Sequence, residues 1–439
     1  MAMKRKALKK MLEWKKSENR KPLILEGARQ VGKTWLMQEF GKNYFTDMLY
    51  INFDKDIKYK NFFEDTKHPS VIIERLSLTR GKKIEPNKTL IIFDEIQECP
   101  NALNSLKYFN EDAKEYYIIS AGSLLGVYLS KGSAHPVGQV NIIDIKPMDF
   151  EEFLTATEPE LLNIYEATSN DLKLLEAFHS RFLDVYKKYL LIGGMPEVVK
   201  SWVDSKDIND VEQKQQELVK IYERDFTKHY GKVDPERILM IYRNIPAQLA
   251  KENKKFVYGD IEKGARARSF ETAIEWLVTS GLVNRLYRAK KNECPLKVFA
   301  DLSAFKLYVF DTGLLKHIAN VPNEMITLDN SFQFKGALAE NFVLQQLKAI
   351  QFNNLKYFTF ENRYEIDFLI QDQNGNIIPV EVKSSENVSS VSFNSYNKKF
   401  NPDLRIRYSA LSYKKDENLI NIPFYLIGKT IEIIKGEMK

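Results

Sequence analysis

The stretch of sequence that decides the fold is PLILEGARQVGKTWL, residues 22–36. It opens with the apolar run Leu23–Leu25, typical of a strand, and from Lys33 onward it has the pattern of a helix. The loop between them matches GxxxxGK[ST] in full, in the strand–loop–helix context that the pattern requires. Glycines in such a loop let backbone N–H groups come close to phosphates, and the start of a helix favours an anion. The stretch therefore predicts a phosphate-binding loop, or P-loop.

Each residue of this loop has an expected part in holding a nucleotide. The predicted cofactor-binding residues are Gly27, Ala28, Arg29, Gln30, Val31, Gly32, Lys33 and Thr34. Lys33 is expected to reach the β- and γ-phosphates as a catalytic residue, and the Thr34 hydroxyl is expected to ligate Mg²⁺. ATP and Mg²⁺ are therefore the predicted cofactors of the loop, and a purely structural turn is the alternative.

A second, acidic pattern completes the predicted nucleotide site. Residues 89–95, TLIIFDE, form an apolar strand that ends in Asp94 and Glu95. Beside a P-loop, Asp94 would hold Mg²⁺, usually through water, and Glu95 would polarise the attacking water as a catalytic residue. Without the P-loop, two acids at a strand end would more often be a solvated surface feature.

A serine beyond a further strand is the candidate sensor of the terminal phosphate. The apolar run Tyr117–Ile119 leads into the sequence SAGS, residues 120–123. A polar side chain placed there could contact the γ-phosphate, and Ser123 is the residue predicted for this catalytic part. The alternative is an ordinary serine in a turn.

The alternation of strands and helices around these motifs indicates a parallel sheet. From Lys21 to about Phe153, short apolar runs alternate with helical stretches, which is the rhythm of an α/β fold. Continuous apolar strands such as Leu90–Phe93 indicate strands covered on both faces. The predicted fold class is therefore α/β and multidomain, beginning with a P-loop NTPase core of parallel strands between helices at residues 1–153.

The rest of the chain is predicted to hold three further parts. Residues 154–233 have a mostly helical pattern, interrupted by the turn signal GGMP at residues 193–196, and are expected to be a helical lid or connector. Residues 234–328 pass from helical patterns into strand-like ones, which favours a winged-helix arrangement. Residues 329–439 begin with an apolar helix and continue with strands, so an α/β domain is predicted there again.

The composition excludes several classes of protein. Of the 439 residues, 44% are hydrophobic and 28% are charged, which is ordinary for globular domains and argues against disorder. The net charge of +6 is mild, so it permits nucleic-acid binding without requiring it. The two cysteines, Cys99 and Cys294, lack the spacing of a zinc site, and no apolar run is long enough for a membrane span. A cytoplasmic protein without membrane association is expected.

Several strings in combination carry a resemblance to a known family. They are GARQVGKT, LIIFDEIQ, AGSLL, IKPMDFEEFL, LIGGMPEVV, KLYVFDTGLL and GALAENFV. With them the chain resembles, over nearly its whole length, the AAA-like ATPases of bacteria and archaea that carry a C-terminal domain of unknown function. The resemblance implies a P-loop ATPase followed by a winged-helix segment and a restriction-endonuclease-like module, and it implies no particular substrate.

Four C-terminal residues stand in the order of the PD-(D/E)xK nuclease superfamily, which this last domain resembles. They are Glu340, Asp367, Glu381 and Lys383. The turn signal Asn374-Gly375 predicts a hairpin that brings Asp367 near Glu381, and Glu381 and Lys383 are expected on one face of their strand.

Such a face suits metal-assisted cleavage of phosphodiesters. Asp367 and Glu381 would hold Mg²⁺ or Mn²⁺, and Glu340 would complete the metal shell. Lys383, as a catalytic residue, would orient the attacking water. The alternative is that these residues are only the polar face of a half-exposed sheet.

A basic edge is predicted in the winged-helix part. Arg266 and Arg268 precede a candidate recognition helix at residues 269–280. Four further cations follow that helix, namely Arg285, Arg288, Lys290 and Lys291. Phosphate contacts from such residues would position DNA without reading its sequence. A solubilising surface or a subunit contact is the equally open alternative.

These features leave functions of different classes open. The first is an ATP-binding, ATP-hydrolysing AAA-like protein that acts on nucleic acid and carries a metal-dependent nuclease-like domain. The second is an ATP-dependent remodelling or signalling switch whose C-terminal domain is catalytically silent and binds a protein partner. The third is a slow ATPase switch without mechanical output.

Overall fold

The structure of the chain is a computed structural model that describes residues 4–123, 125–130, 138–167, 171–227, 233–328, 332–384 and 390–436. The chain divides into two units. The first comprises Met1–Lys146 and Thr279–Gly281, and the second comprises Pro147–Val278 and Leu282–Lys439.

Strands and helices alternate through the first unit. Its strands are β1 (Leu23–Glu26), β2 (Asp47–Asn52), β3 (Thr89–Asp94), β4 (Tyr117–Ala121) and β5 (Asn141–Asp144). Its helices are α1 (Lys6–Lys16), α2 (Lys33–Tyr44), α3 (Pro69–Arg80), α4 (Pro100–Asp112) and α5 (Leu125–Ser130), with 3₁₀ segments at Ile57–Phe63 and Ile96–Glu98.

The five strands form one sheet in the order β2-β3-β4-β1-β5, in which every neighbouring pair runs parallel. All residues of β3 and β4 are buried, as expected for central strands that helices cover on both faces. Their side chains join those of the helices in a core that includes Ile24, Ile51, Phe93, Leu106 and Ile118. The predicted parallel α/β sheet is therefore confirmed.

This strand order determines where the nucleotide motifs meet. Strand β4 lies between β1 and β3, and the carboxyl ends of parallel strands share one edge of the sheet. The P-loop follows β1, Asp94 ends β3, and Ser123 lies just beyond β4. The three motifs therefore come together although long stretches of sequence separate them.

The remaining helices and strands follow from residue 150 onward. The helices are α6 (Phe150–Thr157), α7 (Leu162–Ala167), α8 (Leu172–Ala177), α9 (His179–Ile192), α10 (Pro196–Ser205), α11 (Ile208–Thr227), α12 (Pro235–Leu249), α13 (Ala267–Thr279), α14 (Thr312–Ile318), α15 (Asn323–Thr327), α16 (Lys335–Ala349), α17 (Val391–Phe400) and α18 (Thr430–Ile434). The strands are β6 (Val283–Ala289), β7 (Ala300–Val309), β8 (Lys356–Phe360), β9 (Tyr364–Gln371), β10 (Ile377–Lys383), β11 (Arg405–Ser409), β12 (Lys414–Asp416) and β13 (Leu419–Pro423). No helix in the described ranges combines the length and the apolar character of a membrane span.

Eight strands of the second unit form a mixed sheet in the order β12-β13-β11-β10-β9-β8-β6-β7. Strands β6 and β7 form an antiparallel hairpin within residues 234–328, for which a winged-helix arrangement is predicted. Residues Arg288 and Ala289 of β6 pair in parallel with Tyr357 and Phe358 of β8. The hairpin thus continues the sheet of the C-terminal strands, and the winged-helix and nuclease-like assignments stay predictions.

Candidate functional site

The P-loop turns through backbone conformations that favour glycine. Gly27 has a φ of +136°, and a Cβ atom built on it would lie 2.2 Å from the carbonyl oxygen of Ile145. Gly32, with a φ of +93°, directly precedes α2, and Gln30 also has a positive φ of 68°. A side chain at position 27 would therefore force the loop away from its neighbour, whereas glycine lets the loop close tightly before the helix.

Lys33 lies folded over its own loop. Its Nζ donates hydrogen bonds of 2.8 Å to the carbonyl oxygens of both Gly27 and Ala28. Burial lowers the pKa of Lys33 to about 8, against the opposing attraction of Glu95 and Asp94. The loop thus holds a buried cation whose present partners are neutral carbonyl groups, an arrangement that an anionic ligand would improve.

Asp94 joins the P-loop to the end of β3. Its Oδ2 accepts hydrogen bonds from Thr34 Oγ1 and from the Tyr50 hydroxyl, each 2.8 Å long, and its Oδ1 accepts one of 3.1 Å from the Glu95 amide. Burial raises the pKa of Asp94, and the bonds from Tyr50 and Thr34 work against that rise. The structure therefore brings the predicted metal ligands Thr34 and Asp94 into direct contact.

Glu95 is held by three hydrogen bonds next to that contact. Its Oε1 accepts from Ser123 Oγ at 2.7 Å, and its Oε2 accepts from the Ser123 amide at 3.0 Å and from Gln97 Nε2 at 2.7 Å. Burial pushes the pKa of Glu95 upward, but the bonds from Gln97 and Ser123 outweigh it, so the pKa lies below its ordinary value. The predicted base and the predicted sensor are thus bonded to each other.

Two residues of this site escaped the sequence patterns. Tyr50 lies on β2 and belongs to no motif, and Gln97, the last residue of the string LIIFDEIQ, lies on the 3₁₀ segment after β3 and had no predicted role. A weak signal exists for Tyr50, because it alternates with the inward-facing Leu49 and Ile51 on a strand that ends near Asp94. For Gln97, the signal is its place at the end of LIIFDEIQ, next to Asp94 and Glu95.

Three of the four predicted C-terminal site residues lie in a group of acids that we call the C-terminal carboxylate cluster. Its members are Glu340, Glu365, Asp367 and Glu381, whose charges act on one another or on the shared Lys306. Lysines accompany them: Lys254 Nζ donates to Glu340 Oε1, and the fully buried Lys306 donates to Glu365 Oε1 at 2.6 Å. Glu340 Oε2 also accepts a hydrogen bond of 3.0 Å from the Tyr308 hydroxyl. These cations lower the pKa of Glu340 despite its burial.

Asp367 and Glu381, two of the three strand acids of the cluster, have fewer partners. Asp367 Oδ2 accepts a hydrogen bond of 2.8 Å from the Val382 amide, and burial together with the charges of Glu340 and Glu381 raises its pKa well above the ordinary value. Glu381 Oε1 pairs with Lys383 Nζ at 3.1 Å, whereas its buried Oε2 has no hydrogen-bond partner among the described residues. Burial raises the pKa of Glu381 as well.

The cluster does not have the form of a ready metal site. Within the described ranges, no three histidine, cysteine, aspartate or glutamate side chains are arranged to hold a metal ion. Lys254 and Lys306 place positive charge beside Glu340 and Glu365. A bound metal ion would neutralise these carboxylates in the same way. The C-terminal metal site therefore stays a prediction.

The predicted basic edge is partly neutralised. Arg285 pairs with Glu271 at 2.7 Å and with Glu275 at 2.6 Å, and Arg288 pairs with Asp301 at 2.6 Å. These three acids, two on α13 and one on β7, thus reduce the charge available to phosphates. Arg266, just before α13, and Arg268, in its first turn, are exposed and remain the better candidates for such contacts.

The first unit has a five-stranded parallel sheet, a P-loop after β1, and an acid at the end of β3 that is hydrogen-bonded to that loop. These features define a P-loop nucleotide-binding domain. Comparison with family models narrows this class. Residues 19–154 match the family described as "AAA domain". The N-terminal part of the chain is therefore an AAA-like P-loop ATPase domain, the kind of domain that binds ATP. Residues 183–325 match a "Domain of unknown function (DUF8612)", and residues 335–425 match a "Domain of unknown function (DUF4143)".

Individual relatives are distant. The "Uncharacterized protein MJ1544" of Methanocaldococcus jannaschii is 25% identical over 415 residues, which span 91% of this chain and 82% of that protein. The Walker-type ATPase paby2304 of Pyrococcus abyssi is 13% identical with a TM-score of 0.45, over 72% of this chain and 96% of that one. The ORC1 protein of Aeropyrum pernix, solved in complex with DNA, is 14% identical with a TM-score of 0.27, over 73% and 94%. Both structural likenesses are too low to support an argument about this chain.

Proposed function

We propose that this chain hydrolyses ATP at its P-loop with Mg²⁺ as the cofactor. The observation that carries the proposal is the hydrogen bond of 2.8 Å from Thr34 Oγ1 to Asp94 Oδ2. The bond joins the last residue of the P-loop to the acid at the end of β3, and both side chains offer the hard oxygen ligands that Mg²⁺ prefers. Because the Thr34 side chain is exposed, its lone pairs remain open to a ligand while its O–H is directed at Asp94.

Nucleotide binding is assigned to the loop and the start of α2. Backbone amides between Gly27 and Thr34, together with the partial positive charge of the helix N-terminus, favour a polyphosphate. Lys33 rests on the carbonyl oxygens of its own loop, and turning toward the β- and γ-phosphates would give its charge an anionic partner. When bound, Mg²⁺ would neutralise negative charge on the phosphate oxygens.

The hydrolytic step is assigned to Glu95 and Ser123. Glu95 would accept the proton of the attacking water, and its lowered pKa supports the ionised state that a base requires at neutral pH. Ser123 would contact the terminal phosphate. Since the Ser123 hydroxyl now donates to Glu95, a phosphate that takes this hydroxyl would release one oxygen of Glu95 to the water.

Glu95→Gln tests the hydrolytic role. It keeps the size of the side chain and removes its charge, so we expect ATP to bind with wild-type affinity while the rate of phosphate release falls by roughly 10²–10⁴-fold. Glu115→Gln is the matched control, because Glu115 is exposed and precedes β4 at the opposite end of the strand. Lys33→Ala should abolish binding of the nucleotide itself.

Two results would count against this function. If the wild-type chain releases phosphate no faster than Lys33→Ala, the proposal of ATPase activity is rejected. An equal, small loss in Glu95→Gln and Glu115→Gln would leave hydrolysis in place but take Glu95 out of it.

A second, separate inference concerns the C-terminal carboxylate cluster, which we propose to be catalytically silent, leaving a role in binding a partner. The silent assignment is supported by the ion pairs of Lys254 with Glu340 and of Lys306 with Glu365. A metal ion would have to displace Lys254 from a largely buried contact to reach Glu340, and the displaced Lys254 charge would then lack its partner. The competing interpretation is a metal-dependent nuclease that acts on nucleic acid. It is favoured by Glu381 Oε2, which has no hydrogen-bond partner in the part of the chain that the structure describes.

Nicking of supercoiled plasmid in Mg²⁺ or Mn²⁺ separates the two interpretations. We expect no cleavage above the buffer background by the wild-type chain. Cleavage that is lost in Asp367→Ala and kept in Asp403→Ala, an exposed aspartate of the same domain, would overturn the silent assignment and support a nuclease.

A further inference from the structure

Tyr50 contacts the nucleotide site from a strand that carries no motif. Its hydroxyl donates to Asp94 Oδ2 at 2.8 Å, and this is the same oxygen that accepts the hydroxyl of Thr34 at 2.8 Å. Asp94 itself is buried, with 3% of its surface exposed. Two O–H donors therefore converge on one buried carboxylate oxygen beside the P-loop.

The sheet register explains why Tyr50 can reach this oxygen. Strands β2 and β3 are parallel neighbours in which Tyr50 lies opposite Ile92 and Asn52 lies opposite Asp94. Because side chains alternate along a strand, Tyr50, Asn52 and Asp94 all lie on one face of the sheet.

Helix α2 lies close to that same face. A Cβ atom built on Gly41 of α2 would lie 2.4 Å from the Met48 sulfur of β2 and 3.3 Å from a Leu90 methyl of β3. Met48 shares the face of Tyr50 by the same alternation. The small residue thus lets the helix that begins with Lys33 and Thr34 approach the strand that carries Tyr50, so the contact follows from the packing of two regular elements.

We propose that Tyr50 is a positioning residue for magnesium binding, which fixes the Asp94 carboxylate in the orientation that Mg²⁺ and Thr34 require. The inference rests on the proposed function of the P-loop and names a residue that no motif includes. Tyr50 touches neither nucleotide nor metal in this role, since it acts through Asp94.

The chemistry of the hydroxyl suits a permanent donor. The neutral O–H group of Tyr50 donates to the carboxylate of Asp94. Without this hydroxyl, Thr34 would be the remaining side-chain donor to Asp94 Oδ2 among the described residues, and the carboxylate would be freer to rotate. A carboxylate that is less firmly oriented holds a cation less tightly.

Tyr50→Phe tests the proposal with the smallest possible change. Affinity for a fluorescent ADP analogue is measured first in EDTA and then across a titration with Mg²⁺. We expect affinity in EDTA to equal that of the wild type, while the Mg²⁺ concentration for half-maximal effect rises about tenfold, since a hydrogen bond to a charged group is lost. Saturating Mg²⁺ should restore the rate of ATP turnover to near the wild-type value.

Tyr116→Phe is the matched control. Tyr116 is a partly buried tyrosine of the same unit, located before β4 at the end of the sheet away from the P-loop. Removal of its hydroxyl should leave both affinities unchanged.

Three other outcomes would overturn the inference about Tyr50, and they differ in whether the proposed magnesium site is rejected as well. A Mg²⁺ dependence in Tyr50→Phe equal to that of the wild type would reject Tyr50 alone. Weaker binding in EDTA to the same extent as in Mg²⁺ would show a general structural role instead of a positioning one. Wild-type protein that binds the analogue without any effect of Mg²⁺ would reject the magnesium site of the proposed function and Tyr50 with it.

Discussion

Lys33 carries its charge in surroundings that do not favour it. The residue is 7% exposed, and its ammonium group donates hydrogen bonds to the carbonyl oxygens of Gly27 and Ala28. Burial lowers its pKa from 10.5 to about 8, so the fraction of molecules with a protonated Lys33 changes within an accessible range of pH. A phosphate beside it would raise the pKa again, which means that nucleotide binding and protonation of Lys33 support each other.

Nucleotide affinity is therefore expected to fall as pH rises through 8. Only the protonated Lys33 offers a charge to the phosphates, and above its pKa each further pH unit costs about tenfold in affinity. Titration of ADP binding between pH 7.5 and 9.5 at constant Mg²⁺ and ionic strength measures the effect.

Lys33→Arg is the control for this titration, because a guanidinium group stays protonated throughout the range. Its affinity, although weaker overall, should be flat with pH. A wild-type affinity that is equally flat would mean that Lys33 keeps its proton up to pH 9.5 or does not contact the phosphates.

Local patterns predicted the residues of the P-loop, Asp94, Glu95 and Ser123, because strand ends and glycine loops have signatures within a few positions. Tyr50 and Lys254 lie in no motif, and although Gln97 and Lys306 fall within the strings LIIFDEIQ and KLYVFDTGLL, nothing in those strings indicated their contacts. Gln97 bonds to Glu95 two residues away, whereas Tyr50, Lys254 and Lys306 contact partners that are distant in sequence and come close only in the folded chain.

At the scale of elements, one buried aspartate connects several of the strings quoted from the second unit. Asp311, fully buried before α14, accepts hydrogen bonds from the Gly194 amide at 2.7 Å and from Gln345 Nε2 of α16 at 3.2 Å. Its other oxygen accepts from the Leu314 amide at 3.0 Å and so caps α14. A Cβ atom at Gly193 would lie 2.2 Å from that oxygen.

The turn GGMP, the string VFDTGLL and the helix α16 are therefore held together by one buried carboxylate. The turn between α9 and α10 was correctly predicted from its glycines and proline. Its partner Asp311 was not, because a buried aspartate between two apolar stretches has no spacing that distinguishes it from a catalytic acid. These strings take part in packing and hydrogen bonding within the second unit.

The pairing of elements was harder to predict than their existence. The hairpin β6/β7 follows from strand patterns on either side of a loop, whereas its attachment to β8 joins segments more distant in sequence. Apolar alternation states which face of a strand is buried and leaves open which strand lies beside it.

At the scale of the whole chain, the net charge of +6 is a poor guide to partners. In the second unit Lys254, Lys306 and Lys383 are paired with acids of the C-terminal carboxylate cluster. Arg285 and Arg288 are likewise paired on the hairpin. Much of the positive charge is thus committed within the fold, and any attraction for nucleic acid depends on the exposed cations that remain.

The two units carry different kinds of charged site. In the first, the buried Lys33 rests on neutral carbonyl groups and the exposed Thr34 hydroxyl donates to Asp94. In the second, Lys254 and Lys306 are paired with Glu340 and Glu365, while Asp367 has no cation paired with it among the described residues.

A crystal structure of the full chain with Mg²⁺ and a nonhydrolysable ATP analogue tests the central claim most directly. We predict that the phosphates lie against the amides of residues 28–34, that Lys33 Nζ has left the Gly27 carbonyl for the β- and γ-phosphates, and that the metal lies between Thr34 and Asp94. An analogue bound elsewhere, or a metal remote from Thr34 while Lys33 still rests on its own loop, would contradict the account.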